Sequence, residues 1–344
     1  MRIILFVFAA ALIFAGCNPA PVAYYELPVE FRFPAKKTEF ISKYTPYIKG
    51  KKIFIDPGHG GSDRRNKGHL GIITEADANL RVALALRDIL LEAGAFVEMS
   101  RSKDTTVDLK FRSTLANKSG ADIFISIHHN APASAEDNWT NYSSTYYHAK
   151  ETDYEYESCN RDLARYIQRD VSYAMRNSGG PGSFDGTYSD YTIYPGEGFS
   201  VLRNTNIPAV LVECGYHTNT NEEKRLAIEE FNRIEAWGIF RGIARYFSSG
   251  IPSVIPGNDS EIYPEGDIIM NFLLRDSSGI KPGTVEVWFD SAKVKNDFIT
   301  ESPGRFSVTI PDVKAGKHVI KVVTENKNGN HSFPFKQVFT VKKN

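Results

Sequence analysis

The run Lys51-Lys-Ile-Phe-Ile-Asp-Pro-Gly-His-Gly-Gly61 decides the fold class. Ile53, Phe54 and Ile55 are apolar without alternation, so the strand they form has no solvent face, and Asp56-Pro57-Gly58 closes it with turn residues. The signature returns in Ile123-Phe-Ile-Ser-Ile127 and in Ala209-Val-Leu-Val-Glu213. Helical periods lie between these runs. Val82, Leu86, Ile89 and Leu90 share one stripe of a helix expected over 76–93, which Gly94 stops. Residues 96–100 and 144–148 read as strands, 109–118 and 156–176 as helices. Residues 222–248 read as one long final helix broken near Gly238. Strands apolar on both faces and separated by helices predict a mostly parallel sheet flanked by helices, an α/β domain over 51–249.

Beyond it, Pro252, Pro256 and Gly257 mark a linker over 250–260, across which few contacts are expected. No helical pattern follows. Short runs at 268–274, 284–289, 306–310, 318–324 and 337–341, separated by Gly, Pro, Asn and Asp, predict a small all-β, immunoglobulin-like sandwich over 261–344.

The N-terminus is of a different kind. Met1-Arg2 precedes an uncharged apolar run over 3–14, too short for a transmembrane helix of about 20 residues. It fits a signal peptide over 1–16. Phe14-Ala-Gly-Cys17 resembles the end of a lipoprotein signal, which makes Cys17 the lipidation candidate and a membrane the partner of its lipid anchor. Residues 17–50, rich in Pro, Tyr and Lys, read as a spacer with one extended segment near 29–33. Fully extended, such a spacer would reach about 100 Å. An exported chain, anchored as a lipoprotein and facing periplasm or cell wall, is the expectation.

Composition narrows the function. The 41 basic and 41 acidic residues cancel and no basic run stands out, which argues against nucleic acid as a partner. Of three cysteines, only Cys159 and Cys214 lie in the body of the chain, too few for a disulfide framework.

Four polar residues stand where such a sheet collects chemistry, at the carboxyl ends of strands or the start of a helix. His59 follows the first strand, Glu75 opens the first helix, His128 ends the 123–127 run and Glu213 ends the 209–212 run. Two histidines and a carboxylate leave a fourth position on Zn²⁺ for water, the pattern of catalytic zinc. A free glutamate nearby, Glu213, can move the proton. Each has a blander alternative. Glu75 could serve the helix dipole with Thr74 as cap, His59 could be a turn residue, and Glu213 a surface charge. His128 and His129 alternate on a strand, so only one of them faces a site.

Taken together, the chain from 51 to 248 resembles the catalytic domain of zinc-dependent N-acetylmuramoyl-L-alanine amidases of the amidase family 3 type. The resemblance rests on five blocks in order. They are Ile53-Phe-Ile-Asp-Pro-Gly-His-Gly-Gly61, Thr74-Glu-Ala-Asp-Ala-Asn-Leu80, Phe111-Arg112 with Ala116-Asn117, Ala121-Asp-Ile-Phe-Ile-Ser-Ile-His-His-Asn-Ala131, and Val201-Leu-Arg-Asn-Thr-Asn-Ile-Pro-Ala-Val-Leu-Val-Glu-Cys-Gly-Tyr216 followed by Thr218-Asn219. It implies zinc on His59, Glu75 and His128, catalysis by Glu213, and peptidoglycan as substrate. The amide cut would join N-acetylmuramic acid to L-alanine, in wall remodelling or cell separation. Ala76, where relatives often carry Lys, and His217 depart from the pattern and bear on substrate contacts. Some relatives plug the site with a helical insertion that a protein activator removes. Here that interval holds the acidic, Tyr-rich 151–157 and the Gly-rich 179–198, which reads as a mobile rim loop. A zinc peptidase acting on the stem peptide and an inactive wall-binding protein are the alternatives.

Overall fold

A computed structural model describes residues 23–180, 185–257 and 260–343. Cys17 and the signal segment lie outside the described residues. The chain opens with helices α1 (Val29–Arg32) and α2 (Pro34–Ile48), then runs β1 (Lys52–Pro57), α3 (Glu75–Glu92), β2 (Phe96–Met99), α4 (Leu109–Ser119) and β3 (Ile123–Asn130). It continues through β4 (Ser144–Tyr147), α5 (Ser158–Met175), β5 (Thr187–Ser189), α6 (Ser200–Arg203), β6 (Ala209–Tyr216), α7 (Thr220–Leu226) and α8 (Glu229–Ser248).

Six strands form one sheet in the order β2-β1-β3-β6-β4-β5. The first four are mutually parallel, whereas β4 runs against β6. The unbroken apolar runs are explained by burial on both sides. Ile53, Ile55, Ile123, Ile125 and Ile127 face the layer of α3, α5 and α8, while Phe54 and Phe124 face α4 and α6. The expected α/β class therefore holds.

The break in the final helix lies elsewhere than expected. Ala227 and Ile228 separate α7 from α8, and Gly238 sits inside a continuous α8. Its missing side chain serves packing. A Cβ there would stand 2.8 Å from the Val171 Cα, and one on Gly242 2.4 Å from the Ile167 Cα, so these glycines let α5 and α8 approach closely. Helix propensity marked a weak point, and tertiary packing turned it into a contact.

The spacer expectation is corrected. Residues 29–48 are helical, and Ile41, Tyr44 and Ile48 are buried in the same core as α8. Tyr25 packs edge-on against Phe231, and its hydroxyl donates to Glu230 at 2.8 Å. Arg241 on α8 pairs with Glu30 and with Asp170, the latter at 2.9 Å. An N-terminal segment so packed cannot act as a 100 Å tether over its described length.

After α8 come β7 (Ser253–Pro256), β8 (Ile262–Pro264), β9 (Gly266–Arg275), β10 (Glu286–Phe289), β11 (Ala292–Lys293), β12 (Ile299–Ser302), β13 (Arg305–Val313), β14 (Gly316–Val323) and β15 (Phe335–Lys342). They make two sheets, β11-β10-β14-β15-β8 and β12-β13-β9-β7, around a separate apolar core that includes Phe272, Val287, Phe306, Ile320 and Phe339. Part of the expected linker, 253–256, is thus a strand paired to β9.

The few contacts expected across that boundary are also corrected. Lys321 of β14 is 1 % exposed, and its ammonium donates to the carbonyls of Tyr154 at 2.8 Å and Tyr156 at 3.0 Å. The backbone N–H of His331 and its ring Nδ1 both meet Asp162 Oδ2, and the amides of Asn326 and Asn330 donate to the Gly250 carbonyl. Polar residues in surface strands gave no sign of this docking, because it depends on which loops of the first domain they meet.

Candidate metal centre and active site

The carboxyl ends of β1, β3 and β6 build the site. The register sets His128 of β3 directly beside Glu213 of β6, and Pro57 beside Ile127, so the loop after β1 starts next to both. His59 lies in that loop with φ 59°, a left-handed conformation uncommon for a residue with a side chain. Arg112 holds it there, donating to the His59 carbonyl at 2.9 Å and to the Pro57 carbonyl and Asp56 at 2.7 Å each. Arg101 donates to the carbonyls of Pro57, Gly58 and Ala76, which ties the same loop to the start of α3. Gly58 is required by contact: a Cβ there would lie 2.2 Å from the His128 ring.

Glu75 occupies the first turn of α3, where Thr74 caps the helix by accepting from the Asp77 N–H. The capping alternative is therefore satisfied by Thr74 and Asp77, leaving the 3 % exposed Glu75 free to point inward. One of its oxygens lies 3.0 Å from His59 Nε2 and the other 3.0 Å from His128 Nδ1. Asn66 donates to it at 2.7 Å, and Asn79 at 3.3 Å. Ligand atoms of His59, Glu75 and His128 all fall within 4.8 Å of one another, so the donor set matches a two-histidine, one-carboxylate cation site. Asp63 takes the far side of His59, Oδ2 to Nδ1 at 2.7 Å, which orients the ring and selects Nε2 as its inward nitrogen.

Charges within the cluster are interdependent. Burial alone would raise the Glu75 carboxyl, but the hydrogen bonds and charges of His128 and His59 hold it well below the usual carboxylate range. Burial lowers His59, and Glu75 with Asp63 more than reverses this, to about 9. Glu213 behaves oppositely. Burial pushes it well above the usual range, with the charge of Glu75 adding to the effect. Its Oε2 is buried with no hydrogen-bond partner. Such an atom beside this donor set is what a site arranged for a cation and a reacting proton would contain.

His129 points away from this cluster. It bonds Asn79 at 2.7 Å and Glu235 of α8 at 2.9 Å, both completely buried. With Cys214 these residues make a second compact His/Cys/Glu group. Both ring nitrogens already have partners, so the group reads as a buried ion pair joining β3 to α8. Cys159 and Cys214 are free thiols.

Three groups carry more of the site than their sequence context indicated. Arg112 fell within a matched block without a role, and Asn66 lies in a loop with no periodicity. His217 lines the cleft, buried, with Nδ1 3.0 Å from the His129 carbonyl. A carbonyl only accepts, so Nδ1 carries the proton. The cleft spans about 630 Å³ and continues from the cluster to Val107, Leu109, Tyr194, Phe199 and Arg203. Part of the expected rim loop is ordered: β5 pairs with β4, and Asp190, fully buried, accepts from the backbone of Phe199 and Ala149.

Comparison with known proteins identifies the family of the first domain. Residues 53–245 match the family model described as N-acetylmuramoyl-L-alanine amidase. A germination-specific N-acetylmuramoyl-L-alanine amidase of Bacillus subtilis is 31 % identical over 232 residues, which are 63 % of this chain and 89 % of that protein. An N-acetylmuramoyl-L-alanine amidase of Bacillus licheniformis is 34 % identical over 200 residues, 57 % of this chain and 69 % of that one. Among solved structures, an N-acetylmuramoyl-L-alanine amidase of Clostridium difficile 630 superposes with a TM-score of 0.50 at 33 % identity, covering 58 % of this chain and 98 % of that one. This chain belongs to the N-acetylmuramoyl-L-alanine amidase family.

Proposed function

We propose that the protein is a zinc-dependent amidase that hydrolyses the bond between the lactyl group of N-acetylmuramic acid and L-alanine in peptidoglycan. The observation that carries this is the convergence of His59, Glu75 and His128, with the unpartnered Glu213 Oε2 in register beside His128. His59, Glu75 and His128 would hold the ion. Lewis acidity toward the scissile carbonyl, with a pKa for water lowered to near neutral pH, is the chemistry that zinc would supply there. Glu213 is the proton carrier. Its buried, unpartnered Oε2 beside His128 suits it to accept a proton from the attacking water and deliver it to the departing amine, as the C–O bond forms and the C–N bond breaks. Arg101 and Arg112 act one step back, fixing the loop that carries His59. The apolar wall of Val107, Leu109 and Phe199 lets a substrate displace water from the cleft.

Product identification on purified muropeptides tests the assignment. Release of free L-alanine-terminated peptide and intact muramic acid supports it; cleavage within the stem peptide makes the chain a peptidase, and no cleavage a binding protein.

Family membership supports a substrate in the wall and a protein that acts outside the cytoplasm. The Cys17 motif favours a lipid anchor. Among the described residues no helix is long and apolar enough to cross a membrane. The docked β-sandwich is best read as a fixed support for residues 154–162.

A further inference from the structure

Only two residues lining the described cleft, Arg112 and Arg203, carry a permanent positive charge. Arg112 is spent. Its Nε donates to the Val107 carbonyl, its Nη1 to Asp56 and Pro57, and its Nη2 to His59. Arg203, at the end of α6, differs. Its Nη1 donates to the carbonyls of Glu197 and Gly198, the second at 3.3 Å. These carbonyls are themselves held, because the buried Asp190 carboxylate accepts from Phe199 N–H at 2.8 Å and from His148 at 2.9 Å beneath the rim. Among the described residues no carboxylate pairs with Arg203, and its Nε and Nη2 donors meet no acceptor.

The unused Nε–Nη2 edge is one of the two forks through which a guanidinium takes a carboxylate with parallel hydrogen bonds. Anchoring through Nη1 fixes its plane in advance, which lowers the ordering cost of binding. Arg203 is therefore the cation of the described cleft lining that keeps donors for an anionic group on a ligand.

We propose that Arg203 reads a free carboxylate on the peptide side of the substrate. This rests on the amidase reading. It makes Arg203 a specificity-determining residue that separates stem peptides with that carboxylate from those with a carboxamide in its place.

The test uses the full chain and two soluble muropeptides identical except for that carboxylate or carboxamide. Wild type should favour the carboxylate by about tenfold or more in kcat/KM, mostly through KM. In Arg203→Ala the ratio should fall to within about twofold of unity. Arg203→Lys, which keeps charge but loses the fork, should fall between. Direct titration of both ligands into Glu213→Gln should give the same ranking without turnover. Equal losses on both substrates in Arg203→Ala would reduce the residue to a support of the rim. A wild-type ratio near unity would overturn the subsite while leaving the amidase assignment intact, whereas a wild type that cleaves neither would overturn both.

Discussion

Glu30 and Arg241, 211 residues apart in sequence, form an ion pair with their side chains only 6 % and 8 % exposed. The guanidinium also stacks over Phe40 and Tyr173, and Tyr173 donates to Glu30 at 3.2 Å. The pair joins the N-terminal segment to the last helix of the amidase domain. Burial and the neighbouring Arg245 lower Arg241 to about 10, which still leaves it charged at neutral pH.

Removing one partner of a buried pair costs about 3 kcal/mol when the other charge is left alone, and less here because Asp170 still pairs with Arg241. Glu30→Ala should therefore lower the melting temperature of the full chain by several degrees. Deleting 23–48 should cost more, because Trp237 and Phe240, which pack against Phe40, become exposed. A deletion variant that melts like wild type would return this segment to the status of a spacer.

Gly242→Ala pits two effects against each other. Alanine favours a helix by about 1 kcal/mol over glycine. Against this, its Cβ would sit 2.4 Å from the Ile167 Cα, backbone that can yield only if α5 moves. Overpacking of this kind costs about 1–3 kcal/mol, so the net effect should be destabilising by denaturant titration.

His331 should make domain docking sensitive to pH. Burial lowers its affinity for a proton, but the hydrogen bond to Asp162 and that residue's charge, with Glu325 and Glu286, raise it overall. A raised folded value means the stabilisation is complete below the unfolded value of about 6.5 and is lost as pH climbs through the folded one. Stability should fall on going from pH 6 toward pH 9, and His331→Gln should flatten that profile. An unchanged slope in the variant would assign the dependence to other groups.

Metal content and turnover should separate within the site. His59→Ala, Glu75→Ala and His128→Ala should lose both zinc and activity. Glu213→Gln should keep zinc and fall below a tenth of wild-type turnover. His129→Ala should keep zinc but lose stability, because Glu235 and Asn79 are left buried without it. Elemental analysis beside calorimetry distinguishes these three outcomes, and zinc loss confined to His129→Ala would reverse the choice of histidine.

Cys17→Ser should release the protein from membranes while leaving muropeptide cleavage unaltered, since the proposed catalytic groups all follow residue 56. Equal solubility of variant and wild type on fractionation would leave simple secretion in place of anchoring.

Much was legible in order along the chain. Apolar runs such as 53–55 and 123–127 declare strands buried on both faces, because burial selects residue type locally and needs no knowledge of the partner. The convergence of His59, His128 and Glu213 was legible for a related reason: parallel strands deliver their carboxyl ends to one rim whatever their spacing in sequence, and Glu75 joins them from the start of a helix. Other features depend on long-range neighbours. Arg241 looks like any surface arginine of an amphipathic helix until Glu30 and Asp170 meet it, and Gly238 looks like a break until Val171 needs its space. Lys321 stands in a β-strand whose pattern says nothing of Tyr154 and Tyr156. In each of these the side chain's energy is set by what desolvates and pairs it, and only the tertiary structure decides that.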